Sequence, residues 1–194
     1  MSKVIVLKNT QVYSPIPDVT VIGLGHKARQ GKDTTANLII DRLGSQAMRI
    51  GFADALYAIA RVEHGMTTKD PKLLQYLGTE VYRAKDPDVW LRALYHTLLD
   101  KRPTVAIVTD VRFPNEARLV KEMGGTLIKV ERVAKDGTPH RDPNRSQTHP
   151  SETALDTYTD WDFKFLNVND SNTLVEQVEN TLKQKGLWAG PRMW

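Results

Sequence analysis

Apolar positions along the chain fall into short runs that alternate between two periods. Val19-Thr-Val-Ile-Gly-Leu24 is β-branched and apolar and closes on Gly25, so it predicts a strand covered on both faces. Ala36, Ile39, Ile40 and Leu43 then recur at i, i+3, i+4 and i+7, which predicts a helix over 34–43. A short second strand follows over 47–52. Residues 53–100 have helical character, with Leu91, Leu94 and Leu98 on one stripe. Thr104-Val-Ala-Ile-Val-Thr-Asp110 is a further buried strand. A helix opens near Pro114, where proline suits the first turn, and stops at Gly124-Gly125. A strand over 126–131, an irregular excursion over 133–160, a strand over 162–169 and an amphipathic helix over 173–185 complete the pattern. Strands alternating with helices predict an α/β fold with a parallel sheet core flanked by helices. Residues 1–194 read as one domain, interrupted by insertions at about 53–100 and 133–160. The piece 3–7, followed by Pro15 and Pro17, is either an edge strand or a tail.

Composition narrows the chemistry. The 194 residues include no cysteine, which excludes thiolate metal sites, a cysteine nucleophile and a disulfide framework. Val4 to Leu7 is the longest early apolar run, too short for a signal-peptide core or a membrane span. A cytoplasmic location is therefore expected. The net charge of +4 invites a polyanion partner, but it is local. Residues 1–32 hold Lys3, Lys8, Lys27, Arg29 and Lys32 against Asp18, and the remainder balances 22 basic with 22 acidic residues. No basic stripe suited to a nucleic-acid duplex emerges, and no nucleic-acid or membrane partner is expected.

That local charge peaks in Gly23-Leu-Gly-His-Lys-Ala-Arg-Gln-Gly-Lys-Asp-Thr-Thr35, between the first strand and the first helix. Backbone N–H groups of such a loop, with the positive end of the helix, hold phosphate oxygens. Lys32 follows Gly31 as the phosphate-reaching lysine does in G-x-x-x-x-G-K-[ST]. Lys27, Ala28, Arg29, Gln30, Gly31, Lys32, Asp33 and Thr34 are thus candidates for holding ATP. Two positions depart from the pattern: His26 stands at the first glycine, and Asp33 at the hydroxyl that binds Mg²⁺. Asp33 either holds the ion itself or caps the helix, with Thr34 as a competing ligand.

Asp110 ends its strand where ligands of open α/β sheets sit, facing phosphates or their metal, and Arg112 offers a planar fork two residues on. Arg83 is a further phosphate clamp. Trp90 or Tyr82 could stack on a flat group or could belong to the core. Arg141 and Arg145 stand on the 133–160 excursion, where a closing flap would bring them onto a transferring phosphoryl group.

Gly31-Lys32-Asp33-Thr34, Asp110-Val-Arg-Phe-Pro-Asn-Glu116, Leu77-Gly-Thr-Glu-Val-Tyr-Arg83 with Trp90, and His149-Pro-Ser-Glu152 together resemble bacteriophage deoxynucleoside monophosphate kinases over roughly residues 19–185. The resemblance implies a P-loop kinase fold in which 53–100 is the insertion that binds the nucleoside monophosphate and 133–160 is the lid. It implies transfer from ATP to a deoxynucleoside monophosphate with Mg²⁺, held by Asp33, Thr34 or Asp110, in host cytoplasm if the chain is phage-encoded. Lys32, Asp110, Arg112, Arg141 and Arg145 would serve the transfer, and Arg83, Trp90, Arg112, Glu116 and Glu152 the acceptor. Phosphomevalonate kinase of the animal type is the nearest competing resemblance. An ATP-driven switch and a nucleic-acid binder are further alternatives. The apolar tail Leu187-Trp-Ala-Gly-Pro-Arg-Met-Trp194 suits packing on the core or on a second copy in a homodimer.

Overall fold

The computed structural model describes residues 13–134, 136–142, 148–168 and 171–190. Its five strands are β1 (Thr20–Gly25), β2 (Ala47–Ile50), β3 (Val105–Val111), β4 (Thr126–Arg132) and β5 (Phe163–Asn167). They pair in parallel throughout, in the order β2-β3-β1-β4-β5. The helices are α1 (Lys32–Leu43), α2 (Ala53–Val62), α3 (Pro71–Gln75), α4 (Val89–Lys101), α5 (Pro114–Glu122), the short α6 (Pro150–Thr153) and α7 (Ser171–Gln184). From α3 the chain runs on through π-helical turns at Tyr76–Arg83.

Alternation along the strands splits the core into two layers. Ile22, Leu24, Ile107 and Ile128 point to one face, against Ala36, Ile39 and Leu43 of α1 and Leu174, Val178 and Leu182 of α7. Val21, Ala106, Val108 and Leu127 point to the other, against the α4 stripe Leu91, Leu94 and Leu98 and against Leu119 and Val120 of α5. From β1 the chain leaves through α1 toward β2, and from β3 it crosses through α5 to β4. These connections cover opposite faces, so a crevice opens off the carboxyl ends of the paired strands β1 and β3. Register between those strands shifts from Gly23 opposite Val108 to Gly25 opposite Val111, so β3 carries an extra residue just where Asp110 lies. A bulge of that kind re-aims side chains.

Several boundaries differ from those the periodicity predicts, each for a local reason. Helix α1 begins at Lys32, because Gly31 occupies the N-cap with φ 104°. Gly65, at φ 64°, breaks the helical run of 53–100. Within 133–160 the described residues add only an isolated bridge between Val133 and Pro139 and the short α6. Leu187 and Trp188 of the tail pack on the α1/α7 layer. Segment 3–7 and residues 191–194 lie outside the described residues.

Gly25 ends β1 under the indole of Trp161: a Cβ there would lie 2.6 Å from Cη2 and 2.7 Å from Cζ3. That ring is fixed by its Nε1 donating to the Tyr158 carbonyl (2.9 Å) and by an edge contact with the Tyr158 ring. A methyl group therefore has no room without moving a rigid side chain. Gly25→Ala is expected to destabilise the fold by about 1–3 kcal/mol. A urea midpoint equal to that of the unsubstituted chain would show that the contact is absent in solution.

Candidate active site

The loop from Gly25 to Lys32 is shaped from outside itself. His26, Arg29 and Gly31 have φ of 92°, 55° and 104°. At Gly31 the positive φ favours glycine, and a Cβ there would also press on the Asn167 amide. Ala28 N–H donates to Glu152 Oε2 (2.9 Å). Gln30 turns away from the cleft and ties three segments together. Its Oε1 accepts from Arg132 N–H (2.6 Å), its Nε2 donates to the His140 carbonyl (3.1 Å), and its own carbonyl accepts from Asn167 Nδ2 (3.3 Å). Arg29 Nε lies 3.1 Å from Asp142 Oδ2. The ends of β4 and β5 and the 133–160 segment thus hold the loop open ahead of the α1 N-terminus. Lys27 pairs with Asp156 (2.8 Å) instead of facing the cleft. Lys32 is 6% exposed and its Nζ donates to the carbonyls of His26 and Lys27. Burial, and then the Arg112 guanidinium, push its ammonium well below its ordinary pKa.

Across the crevice, Asp110 accepts from Phe52 N–H at Oδ1 (2.9 Å) and from Ala53 N–H at Oδ2 (2.8 Å), closing the first turn of α2. Burial raises its carboxyl pKa against those two bonds. Arg112 Nη1 stands 3.5 Å from Glu152 Oε1, so Glu152 joins the phosphate loop to the end of β3. Glu116 is 2% exposed. Its Oε2 accepts from the backbone N–H groups of Arg112 (2.7 Å) and Phe113 (3.1 Å), and its Oε1 from Arg83 Nη2 (2.6 Å). Burial raises its pKa, while Arg83 opposes the rise. The Arg83 guanidinium also lies over the Phe113 ring, 4.0 Å from its centroid.

These groups surround a cleft of about 1130 Å³. Of the residues singled out from sequence, it gathers Ala28, Arg29, Gly31, Lys32, Asp33, Thr34, Arg83, Trp90, Asp110, Arg112 and Glu116. Of the two readings open for Trp90, platform or core, its packing fits the core. It is 3% exposed, packs on Tyr82 and donates Nε1 to the Gly78 carbonyl (3.0 Å), which makes it a wall of the cleft. Glu152 holds the loop rather than lining the cleft. Arg141 is exposed and outside the lining among the described residues, and Arg145 lies outside the described residues. The structure adds Arg49, Arg132, Tyr57 and Gln75 to the lining. Arg132 ends a strand, the signal that singled out Asp110; Arg49 and Gln75 carry no such mark.

Asp33, with a side chain 73% exposed, is ion-paired with Arg49 at the edge of the cleft, beside Thr34. It does not cap α1, since Gly31 takes that place. No three His, Cys, Asp or Glu side chains cluster as a metal cage among the described residues. The oxygens of Asp33, Thr34 and Asp110 suit a hard cation that draws its other ligands from phosphate and water.

No protein-family model matches the chain. A protein of Acanthamoeba polyphaga mimivirus named deoxynucleotide monophosphate kinase is 31% identical over 194 residues, covering 82% of this chain and 94% of the relative. The chain belongs to the deoxynucleotide monophosphate kinase family. The deoxynucleoside-5′-monophosphate kinase of Escherichia phage T5 is 36% identical over 90 residues, 43% of this chain and 34% of that one. Shikimate kinase from Bacteroides thetaiotaomicron has the same fold, with a TM-score of 0.53 at 16% identity over 87% of this chain and 99% of that one. This kinase thus carries its phosphate loop on a P-loop kinase fold. No helix among its described residues is long and apolar enough to cross a membrane.

His26 marks where this kinase departs from the usual loop. Its ring is 10% exposed, with Nδ1 3.8 Å from Glu131 and Nε2 3.7 Å from Asp156. Burial, and then Lys129, lower its pKa from 6.5 to about 4. Between those values the unfolded chain binds more protons than the folded one, so stability falls as pH falls from 6.5 toward 4. The loss assignable to His26 is at most about 3 kcal/mol. His26→Asn should show a shallower loss over the same window in urea titrations; equal slopes would remove His26 from the account.

Proposed function

We propose that this kinase transfers the γ-phosphoryl group of ATP to the 5′-phosphate of a deoxynucleoside monophosphate, giving ADP and the diphosphate. One observation carries the reading. The phosphate loop with Lys32 and the pair Arg83–Arg112 line a single cleft, together with Tyr57, Leu74, Trp90 and Phe113. Two polyanions can meet there, and the apolar, aromatic part of the lining suits a flat base better than the aliphatic body of phosphomevalonate.

The loop amides, the α1 N-terminus and Lys32 hold the donor phosphates. Arg83 and Arg112, oriented by Glu116 and Glu152, hold the acceptor phosphate on the side formed by the helices of 53–100. An acceptor phosphate oxygen attacks Pγ, the bond from Pγ to the bridging oxygen breaks, and that oxygen leaves with its electron pair on ADP. Because a phosphate monoester has its second pKa near 6, the attacking oxygen is already ionised at neutral pH. No general base or phospho-enzyme is required, and positioning with charge neutralisation carries the reaction. Asp33, Thr34 or Asp110 would hold Mg²⁺, which would supply neutralisation of donor phosphate charge. Arg29 and Arg132 line the cleft and join Arg141 and Arg145 as candidates for contact with the transferring phosphoryl group.

With Mg-ATP, coupled ADP release is expected for at least one of the four deoxynucleoside monophosphates and not for phosphomevalonate. Lys32→Ala should lower kcat by about 10²-fold or more. If no nucleotide raises ADP release above the ATPase background, the proposal fails. Asp33→Asn should raise the Mg²⁺ concentration needed for half-maximal rate several-fold; an unchanged requirement would leave Asp33 as the partner of Arg49 alone.

A further inference from the structure

Within the same cleft, the side chain of Gln75 is among those that the transfer chemistry does not use. Pro71, Leu74, Gln75, Gly78, Thr79 and Arg83 face the cleft from the continuous helical run of α3 and the π-helical turns. Their spacing of 3, 4, 7, 8 and 12 from Pro71 is one helix face. π-helical turns of this kind are frequent at functional sites. The face grades from apolar at Leu74 to cationic at Arg83, whose guanidinium sits beside Arg112 through Glu116. Eight residues separate Gln75 from Arg83, roughly 10–12 Å at helical rise. That is the scale of a nucleoside monophosphate from phosphorus to the far edge of its base.

Gln75 Nε2 is buried and finds no hydrogen-bond partner among the described residues. A buried amide donor left unpaired is disfavoured, and folded proteins keep few of them without a reason. The helix that carries it is also fixed. Trp90 Nε1 donates to the Gly78 carbonyl (3.0 Å), and Leu56 packs so closely on Gly78 that a Cβ there would lie 2.8 Å from its Cδ2. Gln75 thus lines the cleft from a rigid face, its Nε2 enclosed and unpaired among the described residues, at roughly a nucleotide's length along the helix from the phosphate-binding arginine.

We infer that Gln75 is the residue that reads the acceptor base, by pairing its carboxamide with the Watson–Crick edge. This rests on the reading of the cleft as a deoxynucleoside monophosphate site. A carboxamide carries an N–H donor beside a carbonyl acceptor, and each base edge offers the complementary pair in one order or the other. A half-turn about the terminal torsion exchanges the donor and the acceptor of the carboxamide, so the side chain can meet either order. Gln75 therefore contributes affinity for more than one base rather than strict selection of one.

Steady-state kinetics of the full chain with each of the four deoxynucleoside monophosphates tests this, with Gln75→Leu and Gln75→Glu. If the unsubstituted kinase turns over none of them, the reading of the acceptor site fails, and this inference with it. Given turnover, Gln75→Leu should raise the KM of the preferred nucleotide about tenfold and leave the KM of ATP within twofold. Its thermal midpoint should be equal or higher, since the substitution removes an unpaired buried donor. Gln75→Glu offers acceptors only, so it favours the N1–H and N2–H of guanine and repels the carbonyls of thymine. The ratio of kcat/KM for dGMP over dTMP should rise at least tenfold, and in this ratio the active fraction cancels. An unchanged ratio in Gln75→Glu, or acceptor KM values within twofold in Gln75→Leu, would overturn the assignment. A parallel rise in the KM of ATP would do the same, by pointing to a structural role.

Discussion

Burying cations is the constraint on which this site depends. Bringing two polyanions together demands several positive groups around one cleft, and each must be tolerated by the fold before any ligand neutralises it. Glu116 and Glu152 meet the demand for the two arginines. Each carboxylate is nearly enclosed and reaches a guanidinium with one oxygen and backbone N–H with the other. The arginines are therefore oriented ahead of substrate, and the same contacts fix the backbone beside them. Removing a buried partner from a pair of this kind strands a charge, at about 3–5 kcal/mol. Among the described residues Lys32 receives no such carboxylate contact; it is held by loop carbonyls, and burial weakens its grip on the proton.

The sheet supplies the geometry that makes the pairing useful. Adjacent parallel strands β1 and β3 send their chains to opposite faces, which leaves the phosphate loop and the Asp110–Arg112 turn facing each other across a crevice. The extra residue in β3 aims Asp110 at the amides of Phe52 and Ala53, so the strand end also anchors the start of α2. From the other flank, Gln30 and Glu152 fasten the loop to β4, to β5 and to the 133–160 segment. The loop is preorganised by neighbours rather than by its own sequence, which accounts for a histidine where a glycine is usual.

Much of this was legible in the order of residues. Alternation of apolar strands with helices of period 3.6 points to the parallel sheet, and Gly31-Lys32 and Asp110-x-Arg112 mark the two strand ends that face each other. The remainder depends on contacts between distant segments. Gln30 and Arg132 lie 102 residues apart, and nothing local says that the glutamine turns away from the loop to meet that backbone amide. Glu152 looks like a ligand from its motif, yet its carboxylate is occupied by the protein. Trp90 shows the limit of reading an aromatic on a helix, since only packing decides whether its ring is a platform or a wall. Gln75 was invisible for the opposite reason: its importance lies in a partner that it lacks.

The proposed transfer requires donor and acceptor phosphates to be held at once, end to end, in one cleft. A ligand joining adenosine and thymidine through a chain of five phosphates spans both halves, and calorimetric titration of the full chain measures it directly. Binding at least about a hundredfold tighter than ATP alone is expected, because the second half binds as an intramolecular event. Affinity no better than that of ATP alone would mean that the arginine-lined and loop-lined halves do not form one site.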